Sequence, residues 1–247
     1  MNSLLLLQYE LKDNHVAIIS GERARGACAR HKLSQGNEIR ISVLNGKRGR
    51  AQVESISTDE IVLTTSFTLE PLSRSNCFLI VALPRPQTAK KVVHAATTFG
   101  VNELHFIRSE KVEKSYFDSS ILEPKNLEHE VHLGLEQCCD SISPIINIHS
   151  LFNPFVEDLL PQIISKTTSP ILQIAHTTRS DSTLPVGMQS RESFARSVVL
   201  AVGPEAGWND HEVHSFQRHR FSIVSLGDRI HRVEVATAAL LGQLLPM

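Results

Sequence analysis

The pattern of apolar and polar positions changes character near residue 72. Before it, short segments alternate apolar and polar residues, as half-buried β-strands do. We predict strands at Leu4–Tyr9, Glu38–Leu44, Ala51–Ile56 and Glu60–Thr65, and one helix at Glu22–Lys32. The dipeptide Asn45-Gly46 is a strong signal for a hairpin turn after the second strand. Short strands with turn signals predict a small barrel or sandwich.

From Cys77 onward, continuous apolar runs alternate with helical segments. The predicted strands are Cys77–Leu83, Glu103–Ile107, Ile145–Ile148, Ile171–Ala175, Ser197–Val202 and Phe221–Ser225. The predicted helices are Gln87–Phe99, Asp118–Asp140, Phe155–Ile164, Asp210–Arg218 and Val233–Leu245. Apolar strands between helices are typical of a parallel sheet covered on both faces. The fold class is therefore α/β, with a small β domain at residues 1–72 and a larger domain at residues 76–247.

Composition narrows the class of protein. With 41% hydrophobic residues, and 25 basic against 26 acidic ones, the chain can form a core and has no overall basic field. The longest apolar run, Cys77–Leu83, is far shorter than the roughly 20 residues of a membrane-spanning helix. The segment Leu4–Leu7 is too short for a signal-peptide core, and the four cysteines lack metal-type spacing. We expect a cytoplasmic protein with neither membrane nor metal partners.

Positive charge is concentrated in one segment of the first domain. Residues 21–50 contain eight basic and two acidic residues. The candidate RNA-binding residues there are Arg23, Arg25, Arg30, Lys32, Lys47, Arg48 and Arg50. Such a patch can hold a phosphate backbone. The alternative is a solvated surface with ordinary ion pairs, and charge alone does not decide between the two.

Candidate chemistry lies near the end of the chain, in two glycine-containing loops that each join a strand to a helix. The first, GPEAGW at 203–208, precedes Asn209, a predicted helix cap with Glu212 as its capping-box partner. The second, LGDRIHR at 226–232, precedes a helix of small residues. Ligands bind at such loops in open α/β sheets. Dinucleotide and P-loop fingerprints are absent, and the acid Glu205 favours a ligand with a positive charge or an amine. The alternative is that the glycines only form tight turns.

These two loops carry a family resemblance. GPEAGW followed by SLGDRIHRVEVATAAL closely resembles the signature GPEGG(F/W)…LG-x-R-I-L-R-x-E-T-A of the RsmE family. That family comprises SPOUT methyltransferases that modify N3 of one uridine in 16S ribosomal RNA. Weaker similarity covers Lys32–Glu38, Lys90–Val101, Glu136–Cys138 and His176.

The resemblance implies a fold, a cofactor and partners. The first domain is expected to be a PUA-like β-barrel that binds RNA, and the second a SPOUT domain with a trefoil knot. The expected cofactor is S-adenosylmethionine, and the expected partners are 16S rRNA in the small ribosomal subunit and a second copy of the chain. The implied cofactor-binding residues are His176, Gly203, Glu205, Gly207, Leu226, Gly227, Ile230, Arg232 and Thr237.

Three residues are candidates for catalysis. Negative charge develops on the uracil ring as N3 reacts, and an arginine donor would stabilise it. Arg232 is the first candidate and Arg229 the second. Glu234 would orient Arg232 or act as the base; alternatively, it is an acid favoured by the helix dipole. Trp208 is expected to anchor the loop by packing rather than to stack on a base.

The chain also departs from the family pattern, mostly on the RNA side. Departures occur at Gly26, Thr98, Phe99, Cys139, Asp140, Ala206, His231 and Val235. They leave two alternatives open: the same reaction on another RNA, and a non-catalytic protein that binds RNA or assists ribosome assembly.

Overall fold

The chain forms two compact units, which are described separately. The computed structural model describes residues 2–13, 15–177, 184–185 (backbone only) and 197–245. The first unit contains Met1–Ser73 and Val131–Ser143, and the second contains Arg74–Glu130 and Pro144–Met247. The first unit thus includes a segment from the middle of the chain, which the predicted division at residues 72–76 did not anticipate. The RNA-binding and methyltransferase roles assigned to the two domains stay predictions.

A five-stranded mixed sheet forms the first unit. Its elements are β1 (Leu4–Leu6), β2 (Val16–Ser20), α1 (Gly21–His31), β3 (Glu38–Val43), β4 (Arg48–Ile56) and β5 (Glu60–Leu69). The strand order is β1-β3-β4-β5-β2, and among the described residues only the β1–β3 pair is parallel. The predicted hairpin is confirmed: β3 and β4 are antiparallel neighbours and Asn45 has a φ of 55°. Strand β2, with the apolar run Val16–Ile19, is not among the predicted strands.

The core of this unit lies between its sheet and α1. Its fully buried side chains include Leu4, Leu6, Ala17, Ile19, Ala24, Ala27, Ile61 and Leu63. Gly49 permits the tight approach of β4 to β5, since a Cβ there would lie 1.9 Å from the Ser66 carbonyl oxygen. Any larger residue at this position would push the two strands apart.

Seven parallel strands form the sheet of the second unit. They are β6 (Cys77–Ala82), β7 (Glu103–Ile107), β8 (Ile145–His149), β9 (Ile171–Ala175), β10 (Leu184–Pro185), β11 (Val198–Val202) and β12 (Ser222–Ser225). Their order is β10-β12-β9-β11-β6-β7-β8. All six pairings are parallel, which confirms the predicted sheet. Every residue of β6 and β11 is buried, as expected of central strands.

Helices accompany these strands. They are α2 (Pro86–Thr98), α3 (Pro124–Cys138), α4 (Phe152–Pro154), α5 (Leu160–Ser165), α6 (Asp210–Arg218) and α7 (Val233–Leu244), and a π-turn, Phe155–Leu159, joins α4 to α5. From Val131 onward, the residues of α3 belong to the first unit. The predicted helix Asp118–Asp140 is wrong at its start. Two 3-10 turns, Lys114–Asp118 and Ser120–Leu122, precede Pro124, which occupies the first helical position where its missing N–H costs nothing.

No helix of the described residues has the length and apolar character required to cross a membrane. The trefoil knot and the closed barrel implied by the resemblance stay predictions.

Candidate active site

A cavity of about 230 Å³ opens in the second unit at the carboxyl ends of three adjacent strands, β12, β9 and β11. Each strand is followed by a loop that contributes to the walls. The lining residues comprise Ala175–Thr177, Val202–Gly207, Val224–Gly227, Arg229–His231, Val233, Ala236 and Leu240. Because parallel strands end at the same edge of a sheet, the two predicted glycine loops and His176 meet here.

The first glycine loop is held by Trp208. A Cβ on Gly203 would lie 3.1 Å from the Trp208 indole nitrogen, so this position needs a glycine or a shift of the ring. Trp208 is only 3% exposed and packs on Phe216, with ring centroids 5.4 Å apart. These contacts give Trp208 the packing role expected from the sequence. Gly207, with a φ of 70°, adopts the left-handed conformation that glycine tolerates best.

The predicted capping box at the start of α6 is confirmed. The Asn209 side chain accepts a hydrogen bond from the Glu212 N–H at 2.8 Å, and Glu212 accepts one from the Asn209 N–H at 3.0 Å. The other Glu212 oxygen accepts from the Glu110 N–H at 2.8 Å. These bonds fix the end of the first loop.

Glu205 supplies the acidic group of the cavity. It is exposed, and its Oε1 accepts a hydrogen bond from the Arg85 N–H at 3.0 Å, just before α2. This bond positions the carboxylate without neutralising it.

The second glycine loop is open to solvent. Gly227 has a φ of 95°, and its N–H donates to the Ser225 hydroxyl at 3.2 Å. Leu226, Gly227, Arg229 and Ile230 line the cavity, and Ile230 is 89% exposed. His231, which replaces the family leucine, lines it as well.

The structure separates the two candidate arginines. Arg229 lines the cavity. Arg232 occupies the N-cap position of α7, is exposed and does not line the cavity. Neither guanidinium has a hydrogen bond or ion pair within the described part of the chain. Both are therefore available to a ligand.

Glu234 pairs with Lys91 of α2 across a distance of 3.0 Å. Burial tends to raise the pKa of Glu234. The Lys91 ammonium, a backbone N–H and the Arg232 charge together outweigh burial and hold that pKa below its usual value. A carboxylate with a lowered pKa is a poor proton acceptor, so the orienting role fits Glu234 better than that of the base. Lys91 was not a sequence candidate, because nothing in the sequence indicates that α2 lies beside α7.

Two further cofactor candidates differ in exposure. His176 lines the cavity, and burial, together with Lys111, lowers its pKa despite the opposing Asp210 charge. Its imidazole is thus neutral near pH 7 and can accept or donate a hydrogen bond. Thr237 is fully buried in α7 outside the lining set, and its hydroxyl has no partner among the described residues.

The basic residues of the first unit are mostly paired. Ion pairs join Arg23 to Glu10, Arg25 to Asp59, Arg30 to Glu136, Lys47 to Glu70 and Arg50 to Glu38. Arg48 donates to the backbone carbonyls of Glu70 and Cys139 at 3.0 and 3.3 Å. Within the described residues, Lys32 alone of the seven candidates has no such contact.

Three arginines nevertheless line one face of the β3–β4 hairpin. Arg40 lies directly opposite Arg50, and Arg48 is two positions along from Arg50 on the same face. Arg40 and Arg50 are exposed. Arg40 was in the basic segment but not among the seven candidates, because only the strand register reveals its position.

The residues of the cavity fit S-adenosylmethionine. Apolar side chains of Val202, Val224 and Leu240 suit a planar heterocycle, glycine backbone offers polar groups, and Glu205 suits a sulfonium charge. The described residues contain no cluster of three or more histidine, cysteine or acidic side chains that could hold a metal ion.

Comparisons with known proteins agree with this geometry. The family described as "RNA methyltransferase domain" matches residues 71–245. A relative from Treponema pallidum, named ribosomal RNA small subunit methyltransferase E, is 24% identical over 84% of this chain and 76% of its own. A relative of the same name from Synechocystis is 26% identical over 86% of this chain and 67% of its own.

Two solved structures share the fold. One is a methyltransferase structure from Legionella pneumophila in complex with SAM, with a TM-score of 0.75, 18% identity and coverage of 99% of this chain and 97% of that one. The other is ribosomal RNA small subunit methyltransferase E from Neisseria gonorrhoeae bound to S-adenosylmethionine. Its TM-score is 0.73 at 15% identity, covering 97% of this chain and 95% of that one.

Proposed function

Since the chain belongs to the RNA methyltransferase family, we propose that it methylates N3 of a uridine in 16S ribosomal RNA, using S-adenosylmethionine. The observation that carries the proposal is the cavity at the carboxyl ends of β9, β11 and β12, built from both signature loops. The names and bound cofactors of the relatives point to the same reaction class.

The cofactor, when bound, supplies an electrophilic methyl carbon. Transfer of that methyl group to N3 would require N3 to lose its proton as the bond to sulfur is broken. The protein's task is to hold uracil in line with the methyl group and to exclude water. Glu205, with its carboxylate fixed by the Arg85 N–H, complements the positive charge of the cofactor.

We assign to an arginine side chain the role of stabilising the negative charge that develops on the uracil carbonyl oxygens. Arg229 already lines the cavity, and Arg232 begins the adjacent helix α7. For Glu234, which pairs with Lys91, we propose an influence on Arg232 through its charge rather than the role of proton acceptor. His176, neutral near pH 7, is a cavity group that can accept a hydrogen bond from the cofactor or substrate.

RNA binding is assigned to the first unit. The face of β3 and β4 that carries Arg40, Arg48 and Arg50 offers three positive charges in register. Surface ion pairs such as Arg50 with Glu38 contribute little to stability, so breaking one to bind a phosphate would cost little.

A homodimer acting in the cytoplasm completes the proposal. Ile230 is 89% and Val235 47% exposed beside the cavity, and apolar side chains so placed favour a protein partner.

The first experiment is methyl transfer from labelled S-adenosylmethionine to small ribosomal subunits from a strain lacking the chromosomal gene. Digestion and mass spectrometry should identify 3-methyluridine in 16S rRNA. If the protein binds the cofactor but does not form this product, its substrate is another RNA, in keeping with the departures at Cys139 and Asp140. A folded protein that fails to bind the cofactor by calorimetry would instead be a non-catalytic RNA-binding protein.

A further inference from the structure

A second cavity, of about 380 Å³, lies in the second unit at the carboxyl ends of β7 and β8. Its walls come from the residues that follow these strands and from the start of α6. Asn209 and Glu212 line this cavity, while residues 203–207 just before them line the cofactor cavity. The two cavities thus flank one continuous segment at the same edge of the sheet.

The acidic groups of the second cavity are already engaged. Glu212 accepts hydrogen bonds from the N–H groups of Glu110 and Asn209 at 2.8 and 3.0 Å. Glu110 accepts one from the Asn209 side-chain amide. The start of α6 is therefore capped by its own residues and has no free anion-binding role. The two carboxylates also disfavour a phosphate in this cavity.

Other polar groups of the cavity are free. The side chains of Arg108 and Asn153 make no hydrogen bond or ion pair in the part of the chain that the structure describes. Ser109 is 1% exposed, and its hydroxyl has no partner among the described residues. A buried hydroxyl without a partner is unfavourable in the free protein and becomes satisfied when a ligand supplies one.

An aromatic wall completes the cavity. The Phe152 ring is partly exposed and lies 6.5 Å, centroid to centroid, from the His211 ring. The Phe152 ring also packs edge to face with Phe216, with ring centroids 6.0 Å apart. A supported, partly exposed aromatic ring beside free amide and guanidinium groups is how proteins hold an unstacked nucleobase.

We propose that this cavity binds an unpaired nucleobase of the RNA substrate, one that neighbours the methylated uridine. The inference rests on the proposed function for the identity of the RNA. Strand β7 is two positions from β11, which at ~4.8 Å per strand places the cavities roughly 10 Å apart at their nearest strands. Phe152 would stack on the base, and Arg108, Asn153 and Ser109 would bind its polar edge.

The test measures binding of radiolabelled 16S rRNA to the full-length protein, to Arg108→Gln and to Ser109→Ala. Arg220→Gln is the control, since it makes the same charge change on an exposed arginine just before the amino end of β12. We expect Arg108→Gln to weaken RNA affinity about tenfold. The KM for RNA should rise with little change in kcat, and cofactor affinity should be unchanged.

Ser109→Ala removes the unpartnered hydroxyl without cutting a contact within the described fold. It should maintain or raise the melting temperature while weakening RNA affinity severalfold. This combination separates ligand binding from a structural role, because a structural serine would lower the melting temperature on removal.

The salt dependence identifies the part of RNA that is bound. Loss of a base contact leaves the slope of log affinity against log salt unchanged, whereas loss of a phosphate contact reduces it by about one. A reduced slope for Arg108→Gln would overturn the nucleobase assignment, as would RNA affinity equal to that of Arg220→Gln. If the wild-type protein binds RNA through Arg108 but transfers no methyl group, the proposed function fails and this site stands.

Discussion

The basic residues of the first unit and the arginines of the 226–232 loop have opposite surroundings. In the first unit, Arg23 and Arg30 are tied to the buried acids Glu10 and Glu136. In the loop, Arg229 and Arg232 make no ion pair within the described residues. A charged group whose geometry is fixed by a partner serves the fold, whereas a free one beside a cavity is available for chemistry. The sequence shows the density of charge, whereas the structure adds which charged groups already have a buried partner.

The strongest way to test the structural half of this comparison is Glu136→Ala. The Glu136 side chain is buried, accepts from the Leu5 N–H at 3.3 Å, and lies within 4 Å of Arg30 and His31. Burial tends to raise the pKa of Glu136, but His31, Arg30 and the Leu5 N–H outweigh it and lower that pKa. Removing the acid leaves Arg30, His31 and the Leu5 N–H without their shared partner. This should lower the free energy of unfolding by about 3 kcal/mol.

Urea denaturation of the full chain measures this loss. Glu54→Ala is the matched control, since Glu54 is an exposed acid on β4 of the same unit. A loss below about 1 kcal/mol for Glu136→Ala would contradict the structural role, because it is the size expected for an exposed pair.

The variants Arg229→Ala and Arg232→Ala test whether the unpaired arginines of the 226–232 loop take part in the reaction. Removing the donor that stabilises the developing charge should lower kcat about 100-fold, equivalent to ~3 kcal/mol, with the melting temperature unchanged. Steady-state methyl transfer and thermal denaturation measure the two quantities, with Arg220→Ala as the control. Full activity in both variants would remove arginine from the proposed chemistry.

The sequence predicted the parts of the fold that depend on local patterns. Continuous apolar runs identified the central strands β6 and β11, and the Asn209–Glu212 spacing identified the cap of α6. Strand β2 was missed although its run is as apolar as others that were predicted as strands. The start of α3 was placed too early because the local signal of Pro124 at the first helical position was overlooked.

The site was predictable where the motif carries it. Residues 203–207, 226–227 and 229–231 do line one cavity. The pairing of Glu234 with Lys91, and of Glu136 with Arg30, could not be read from the sequence. These contacts join residues far apart in the chain, and no local spacing encodes them.

A third group of paired residues, around His105 in the second unit, can be tested by measuring stability as a function of pH. His105 is buried; its Nδ1 lies 3.1 Å from His149 Nε2, and its Nε2 lies 3.2 Å from Glu103, which also binds Lys166. Burial, opposed by Glu103 and aided by His149, lowers the pKa of His105 from 6.5 to about 4. Stability should therefore fall as the pH drops from 6.5 towards 4, because the unfolded chain binds the proton first.

The size of this effect is about 3 kcal/mol at full titration. Urea denaturation at pH 7, 6, 5 and 4.5 should show a flatter profile for His105→Gln than for the wild type. His129→Gln, a change to an exposed histidine on α3, should keep the wild-type profile. Equal profiles for all three proteins would show that His105 does not carry the pH dependence.

The smallest expected effect on stability is at Arg25, whose ion pair with Asp59 is exposed on both sides. Arg25→Ala should change the free energy of unfolding by less than about 1 kcal/mol. If Arg25 contacts RNA phosphate, the salt slope of RNA binding should drop by about 0.9. Asp59→Ala breaks the same pair but leaves the positive charge, so it should keep or increase RNA affinity. Equal RNA binding by both variants would place Arg25 with the paired residues that serve the fold alone.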